Sequence, residues 1–314
     1  MVQENSINSV VICGATATGK TSLAANVAQK LGSEVISADS MLIYKGFDIG
    51  TAKPEESEKL GVKHHLIDVI SGKEEFSVSD YESMAGKIAD ELIEKGKNPV
   101  ICGGTGFYIN SLLFDLSYGN APKDDKIREK YDKINKEYGS EYLYDLLKKA
   151  DPVTAEKLHP NDVKRVIRAL EIFESTGKKK SDINDGEKIK RPYKAYAVDF
   201  EREVLYKRID ERVEIMFEKG LFAEVASLLS SGVTFEDQSM QGIGYKEFCG
   251  YFNGSETLDE VKETIKLNSR HYAKRQITFF KRLKGIMWLK PDSTENLADF
   301  IIKDIGKSVS YKTK

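Results

Sequence analysis

The chain has three cysteines, one tryptophan and four histidines in 314 residues. Cys13, Cys102 and Cys249 are odd in number and far apart, which excludes a disulfide framework and a cysteine-based zinc cluster. His64, His65 and His159 lack metal-ligand spacing with a cysteine or another histidine, so they read as structural or polar contacts. No charge-free apolar run approaches the ~18 residues that a membrane span needs. The first nine residues are polar, carry Glu4 and lack the basic start of a signal peptide. Charge of one sign is missing too: 48 basic against 50 acidic residues leave −2. Any nucleic-acid surface must therefore be local. What is present is 40% hydrophobic residue, ample for a core. At roughly 150 residues per domain the length allows two domains, or one core with a large insertion. These features predict a soluble, cytoplasmic protein with no membrane partner.

Short apolar runs at Val10–Cys13, Glu34–Ser37, Leu66–Ile70 and Pro99–Cys102 alternate with helical stretches such as Lys20–Leu31 and Tyr81–Lys95. Ser79 with Glu82 reads as a capping box for the latter, and Gly96 as its stop. The alternation predicts a parallel α/β sheet. From about Pro122 to Arg191 strand signals fade, and helices are expected near Asp124–Tyr138, Glu141–Ala150 and Asp162–Thr176. That segment reads as a helical insertion, with Tyr193–Phe200 the return to the sheet. The last third reads as helical, with runs at Val204–Phe217, Leu221–Ser230 and Leu258–Leu283. The domain reading is thus a core of residues 1–121 and 192–314 around an insertion of 122–191.

Gly14–Ala15–Thr16–Ala17–Thr18–Gly19–Lys20–Thr21 matches G-x-x-x-x-G-K-[ST] between an expected strand and an expected helix. Loop N–H groups and the helix N-terminus favour phosphate oxygens, Lys20 adds a point charge, and Thr21 offers a hydroxyl to Mg²⁺. The motif specifies phosphate or diphosphate binding. Phosphoryl transfer and departure of diphosphate would use the same cradle.

Other groups reach the same sheet edge. Asp39 and Ser40 follow the second strand, and Asp39 reads as a general base, a metal ligand or a helix cap. Gly103–Gly104–Thr105–Gly106 follows another strand, and its glycines admit a ligand or merely form a tight turn. Arg208 and Arg212, one helical turn apart, could neutralise diphosphate or pair with Glu211 and Glu214 on a solvated face. Between Arg270 and Lys284 no acidic residue interrupts Arg270, Lys274, Arg275, Lys281, Arg282 and Lys284, and Tyr272, Phe279 and Phe280 interleave. This is the stronger RNA-contact candidate; Lys164, Arg165 and Arg168 form a second. Tyr251, Phe252 and Trp288 read as core.

The chain resembles bacterial tRNA dimethylallyltransferases (tRNA isopentenyltransferases) from about Val10 to Leu289. The resemblance is carried by Gly14–Thr21, Ser37–Ser40, Ile43–Gly46, Asp48–Pro54, His64–Asp68, Gly103–Gly106 with Tyr108, His159–Asp162 through Arg168–Glu171, Ile243–Tyr245 and Lys274–Thr278. It implies a P-loop NTPase-like parallel sheet core with a helical insertion. It also implies transfer of a dimethylallyl group from dimethylallyl diphosphate to N6 of adenosine 37 in the tRNA anticodon stem-loop, with Mg²⁺, by a monomer. On that resemblance Asp39, Lys20, Thr105 and Arg212 are catalytic, and Gly14 to Thr21 with Arg208 hold diphosphate. RNA contacts fall on Asp39, Ser40, Met41, Leu42, Thr105 and Arg128. They continue on Lys164, Arg165, Val166, Ile167 and Arg168, then on Met240, Gln241, Gly242, Ile243, Gly244 and Tyr245. The last set is Lys274, Arg275, Gln276, Ile277, Thr278, Phe279, Phe280 and Lys281. Ala15 stands where the family usually has Pro, and Phe107 replaces a common Leu. No Cys follows Cys249, so the zinc finger of some eukaryotic members is absent from this sequence. Rival readings are an adenylate isopentenyltransferase on free nucleotides, a phosphate-loop small-molecule kinase, and an RNA-binding module with a relic loop.

Overall fold

Val10, Val11 and Ile12 have essentially no exposed surface, as a strand covered on both faces requires. The structure is a computed structural model that describes residues 7–116, 123–183 and 188–310. Among the described residues six strands form one sheet: β1 (Ser9–Cys13), β2 (Val35–Ser37), β3 (His64–His65), β4 (Val100–Gly103), β5 (Tyr193–Val198) and β6 (Ile286–Leu289). Their order is β3-β2-β4-β1-β5-β6, all parallel. The helices are α1 (Lys20–Lys30), α2 (Glu56–Lys59), α3 (Val78–Glu94), α4 (Gly106–Leu113), α5 (Asp125–Ala150), α6 (Pro152–Ala155), α7 (Val163–Thr176), α8 (Arg202–Glu218), α9 (Leu221–Ser230), α10 (Phe248–Phe252), α11 (Leu258–Phe280) and α12 (Thr294–Ser310).

The chain divides into two compact units, residues 1–113 with 190–314, and Phe114–Ile189. In the first, Leu23, Val27 and Ala28 of α1 pack with Ala298, Ile301 and Ile305 of α12 over one face of the sheet. The second has its own core, in which Leu143 and Leu147 of α5 meet Val166 and Leu170 of α7. Arg191, expected in the insertion, belongs to the first unit. Its buried guanidinium is held by Asp90 and by the Leu112 carbonyl. The expected boundary at 121/122 lies outside the described residues.

Several expectations need correction. Leu66–Ile70 is not a strand, because Leu66 and Asp68 adopt left-handed φ of 62° and 57°; the strand is the preceding His64–His65. The capping box of α3 is Ser77 with Asp80 rather than Ser79 with Glu82. The two helices expected on either side of Gly139 abut in α5, where Gly139 breaks the helical path at φ 85°, ψ 168°. The last third is not all helical, since β6 adds an edge strand beside β5. Phe252 is exposed rather than core.

Candidate active site

A parallel sheet brings all its strand C-termini to one edge. Because β2, β4 and β1 are consecutive in the sheet, Asp39, Thr105 and the phosphate loop arrive side by side. The loop itself is shaped by side chains that hold its outward-facing groups. The Thr18 hydroxyl donates to the Ala15 carbonyl (2.9 Å), and Arg208 Nε donates to the Ala17 carbonyl (2.8 Å). Ala17 sits at φ 62°, a left-handed conformation that costs a residue with a Cβ about 1–2 kcal/mol and that the surrounding loop contacts must hold. Gln276, buried on α11, takes the Thr16 N–H on Oε1 (2.9 Å) and donates Nε2 to the Gly104 carbonyl (3.0 Å). It thereby ties the phosphate loop to the Gly103–Gly106 turn.

The glycines of that turn are explained by this packing. A Cβ on Gly103 would lie 2.0 Å from the Ala38 carbonyl oxygen, and one on Gly104 would lie 2.1 Å from Gln276 Nε2. One on Gly106 would lie 2.2 Å from the Phe279 ring. The close approach is therefore by the protein's own chain rather than by a ligand. Between these glycines Thr105 Oγ1 accepts from the Ser40 N–H at 3.0 Å. Tyr272 reaches Thr105 and Gln276, and burial with the nearby Asp39 charge pushes its pKa up to about 12.

Two cavities open on this edge. One, of about 420 Å³, is lined by Thr16, Asp39, Ser40, Met41 and Gln241–Gly244, with Ile209, Val213 and Ile265 as apolar wall. The other, of about 370 Å³, is lined by Ala17, Gly19, Thr21 and Ser22 and by the Asp48–Glu55 segment. Lys20, Arg212 and Met216 line both. Desolvation lowers the pKa of Lys20 and of Arg212, and the Asp39 carboxylate acts in the opposite direction on each. Asp39 Oδ1 accepts the Met41 N–H at 3.0 Å, so the carboxylate does form a local cap. Its Oδ2 has no protein donor among the described residues. Arg212 Nη2 donates to the Thr51 carbonyl at 3.1 Å.

The Asp48–Pro54 wall is part of the family resemblance, but its residues by themselves suggest no role. Its shape depends on Glu224 of α9. Oε2 accepts from the N–H groups of Asp48 and Ile49, and Oε1 from Gly50 N–H and the Tyr245 hydroxyl. No local signal announces a carboxylate some 175 residues away.

Comparison with known proteins bears on this arrangement. The family model described as IPP transferase matches residues 42–283. The chain belongs to the IPP transferase family. It is 45% identical over 302 residues to the tRNA dimethylallyltransferase of Acetivibrio thermocellus, covering 95% of this chain and 96% of that one. Among solved structures, it matches the tRNA isopentenylpyrophosphate transferase of Bacillus halodurans with a TM-score of 0.73 and 38% identity, over 98% of this chain and 100% of the other. A eukaryotic dimethylallyltransferase acting on tRNA matches with a TM-score of 0.79 and 30% identity, over 97% and 78%.

Residues expected at the family's sites divide by burial and partner. Gly14, Ala15 and Thr18 stand behind the cradle and line neither cavity, as does Arg208, whose guanidinium stacks 4.8 Å from the Phe200 ring. Arg208 is thus a strut for the loop, and Arg212 is the arginine presented to both cavities. Val166, Ile167, Met240, Tyr245 and Phe280 are buried, so their side chains serve packing and cannot meet RNA. Ile277 packs partly buried beside the Ala15–Ala17 cluster, and Phe279 lies against Phe107. Arg128 and Arg168 converge on the fully buried Glu171 at 2.7–3.1 Å. Burial opposes ionisation of Glu171, but these hydrogen bonds outweigh it and lower its pKa. Arg270 is paired with Asp210 at 2.7 Å. Lys164 and Arg165 are exposed, the latter paired with Asp162 at 3.0 Å. On α11 and just beyond, Lys274, Arg275, Thr278 and Lys281 are exposed, whereas Leu42 lines a small cavity behind the site.

Proposed function

We propose that this protein transfers the dimethylallyl group of dimethylallyl diphosphate to N6 of adenosine 37, beside the tRNA anticodon, and releases diphosphate. The observation that carries the reading is the meeting of two cavities at Lys20 and Arg212. One is walled by phosphate-loop backbone, the other by Asp39 and an apolar surface. An anionic leaving group and a neutral acceptor each find matching chemistry, and the allylic carbon falls between them.

The exocyclic amine of adenine is a weak nucleophile because its lone pair is delocalised into the ring. As the new C–N bond forms, Asp39 accepts the amine proton. As the C–O bond breaks, Lys20, Arg212 and the loop N–H groups meet the charge that develops on diphosphate. Thr21, a hard hydroxyl donor at the first turn of α1, suits Mg²⁺, which takes most of its ligands from phosphate oxygens and water. When bound, the ion supplies neutralising charge to the diphosphate. Adenosine must leave its stack to reach Asp39, at a cost of a few kcal/mol that contacts to the stem-loop offset. The exposed cations of α11 and of Lys164–Arg165 are suited to that task. This reading places a monomeric enzyme in the cytoplasm with its tRNA.

The test is incubation with dimethylallyl diphosphate, Mg²⁺ and unmodified tRNA, followed by nucleoside mass analysis. One added dimethylallyl group on the adenosine is the expected result, with no ADP formed when ATP is supplied. ADP formation without prenylated product would favour a kinase.

A further inference from the structure

Behind Lys20 and Asp39 lies a small cavity of about 40 Å³. Ser37 of β2, His64 of β3 and Arg212 of α8 all line it. Each of the three brings a buried polar atom with no protein partner: Ser37 Oγ, His64 Nε2 and Arg212 Nε. Buried polar groups are almost always satisfied, so three orphans on residues that line one space point to a partner held there.

Their chemistry says what that partner is. His64 Nδ1 lies 2.9 Å from the Val62 carbonyl oxygen. A carbonyl only accepts, so Nδ1 carries a proton; burial lowers the pKa of His64 and favours the neutral ring, in which Nε2 presents a lone pair. Arg212 Nε–H can only donate, and the Ser37 hydroxyl can do either. A group that accepts once and donates twice completes the set. Water does this, and a polar cavity of this size, on a measure where about 10–15 Å³ suffices for each molecule, admits one with room to spare.

We propose that a bound water at this point joins Arg212 Nε, Ser37 Oγ and His64 Nε2, and that Ser37 and His64 are positioning residues for Arg212. Arg212 is otherwise anchored among the described residues only by Nη2 on the Thr51 carbonyl, which leaves rotation about that contact. A second anchor at Nε fixes the plane of the guanidinium, and so holds the remaining N–H groups ready for the anion in the cavity walled by the phosphate loop. The proposal rests on the functional reading above only in naming diphosphate as that anion.

A high-resolution crystal structure should show one ordered water within hydrogen-bond distance of all three atoms. A dry cavity, or direct contact between the three side chains, overturns the proposal. In solution, His64→Leu removes the acceptor, whereas His64→Gln offers a carbonyl oxygen in its place. Loss of a hydrogen bond to a charged group predicts about 10- to 100-fold weaker diphosphate binding for His64→Leu. His64→Gln should recover most of that loss, and tRNA affinity should not change in either variant. In an Arg212→Ala background His64→Leu should add nothing. Effects that multiply instead would mean that His64 acts on structure in general and would sink the idea. Ser37→Ala, taken through the same cycle, decides the matter if His64→Leu fails to fold. Because diphosphate affinity is read without turnover, a wild-type protein that prenylates nothing would count against the proposed function alone.

Discussion

The cations around the phosphate loop and those on the outer face of α11 are placed under opposite conditions. Lys20 and Arg212 are partly withdrawn from water, and that desolvation depresses both pKa values. Lys274 of α11, with Lys281, Arg282 and Lys284 just beyond its end, is exposed and has no ion-pair partner among the described residues. Withdrawing a cation from water is costly unless an anion arrives, so the inner pair is suited to charge that appears during reaction. Exposed, unpaired cations act through phosphate contacts and counterion release. Arg128 and Arg168 form a third case, since Glu171 already engages both. A basic run in sequence thus does not reveal which of its charges are free; a buried carboxylate within reach decides it.

That contrast can be broken from either side. The largest effect is expected for Asp39→Asn, which should slow single-turnover transfer by about 10²–10⁴-fold with both substrates saturating. An unchanged rate would leave Asp39 as nothing more than the cap on Met41. Lys20→Ala should cost about 10²–10³-fold in the same assay, because charge developing on diphosphate loses its nearest cation. Its tRNA affinity, followed by filter binding, should stay within a few fold of wild type. Gln276→Leu leaves the part-buried Thr16 N–H and the buried Gly104 carbonyl unpaired. It should lower unfolding free energy by about 1–3 kcal/mol in denaturant titration and weaken diphosphate binding. If it weakens tRNA alone, Gln276 is an RNA contact after all. The smallest change is expected on the outer face, where Lys274→Ala or Lys281→Ala should flatten the salt dependence of tRNA binding by about one unit for each phosphate that is no longer neutralised. Arg275 sharpens the comparison, because it is exposed on α11 yet also lines the cavity with Asp39. Arg275→Ala should therefore affect both tRNA affinity and rate.

What is legible in the sequence is local. The phosphate loop fills consecutive positions, and Val10–Cys13 of β1 is an unbroken apolar run. Leu221–Ser230 is bounded by glycines on both sides, and its helix matches the expected limits. What escapes depends on distance along the chain or on marginal signals. Gln276 grips the loop from 260 residues away, and the Glu224 clamp on Asp48–Gly50 is similarly remote. Strand β6 is an apolar run of only four residues, too short to tell from a helical turn, and Lys284 and Lys290 flank it. The histidine pair reads as a prelude to a strand because Leu66–Ile70 is the more apolar stretch. Left-handed turns at Leu66 and Asp68 carry the chain out of the sheet there. Arg208 and Arg212 are indistinguishable by spacing; only the position of the Ala17 carbonyl beside one of them separates strut from anion ligand.

The separation of inner from outer charge is tested most directly by single-turnover transfer measured over a range of tRNA concentrations for Lys20→Ala and for the double variant Lys274→Ala, Lys281→Ala. The account expects the double variant to reach the wild-type rate once tRNA saturates, and Lys20→Ala to remain slow at every concentration. A double variant that stays slow at saturating tRNA, or a Lys20→Ala protein that recovers there, would contradict it.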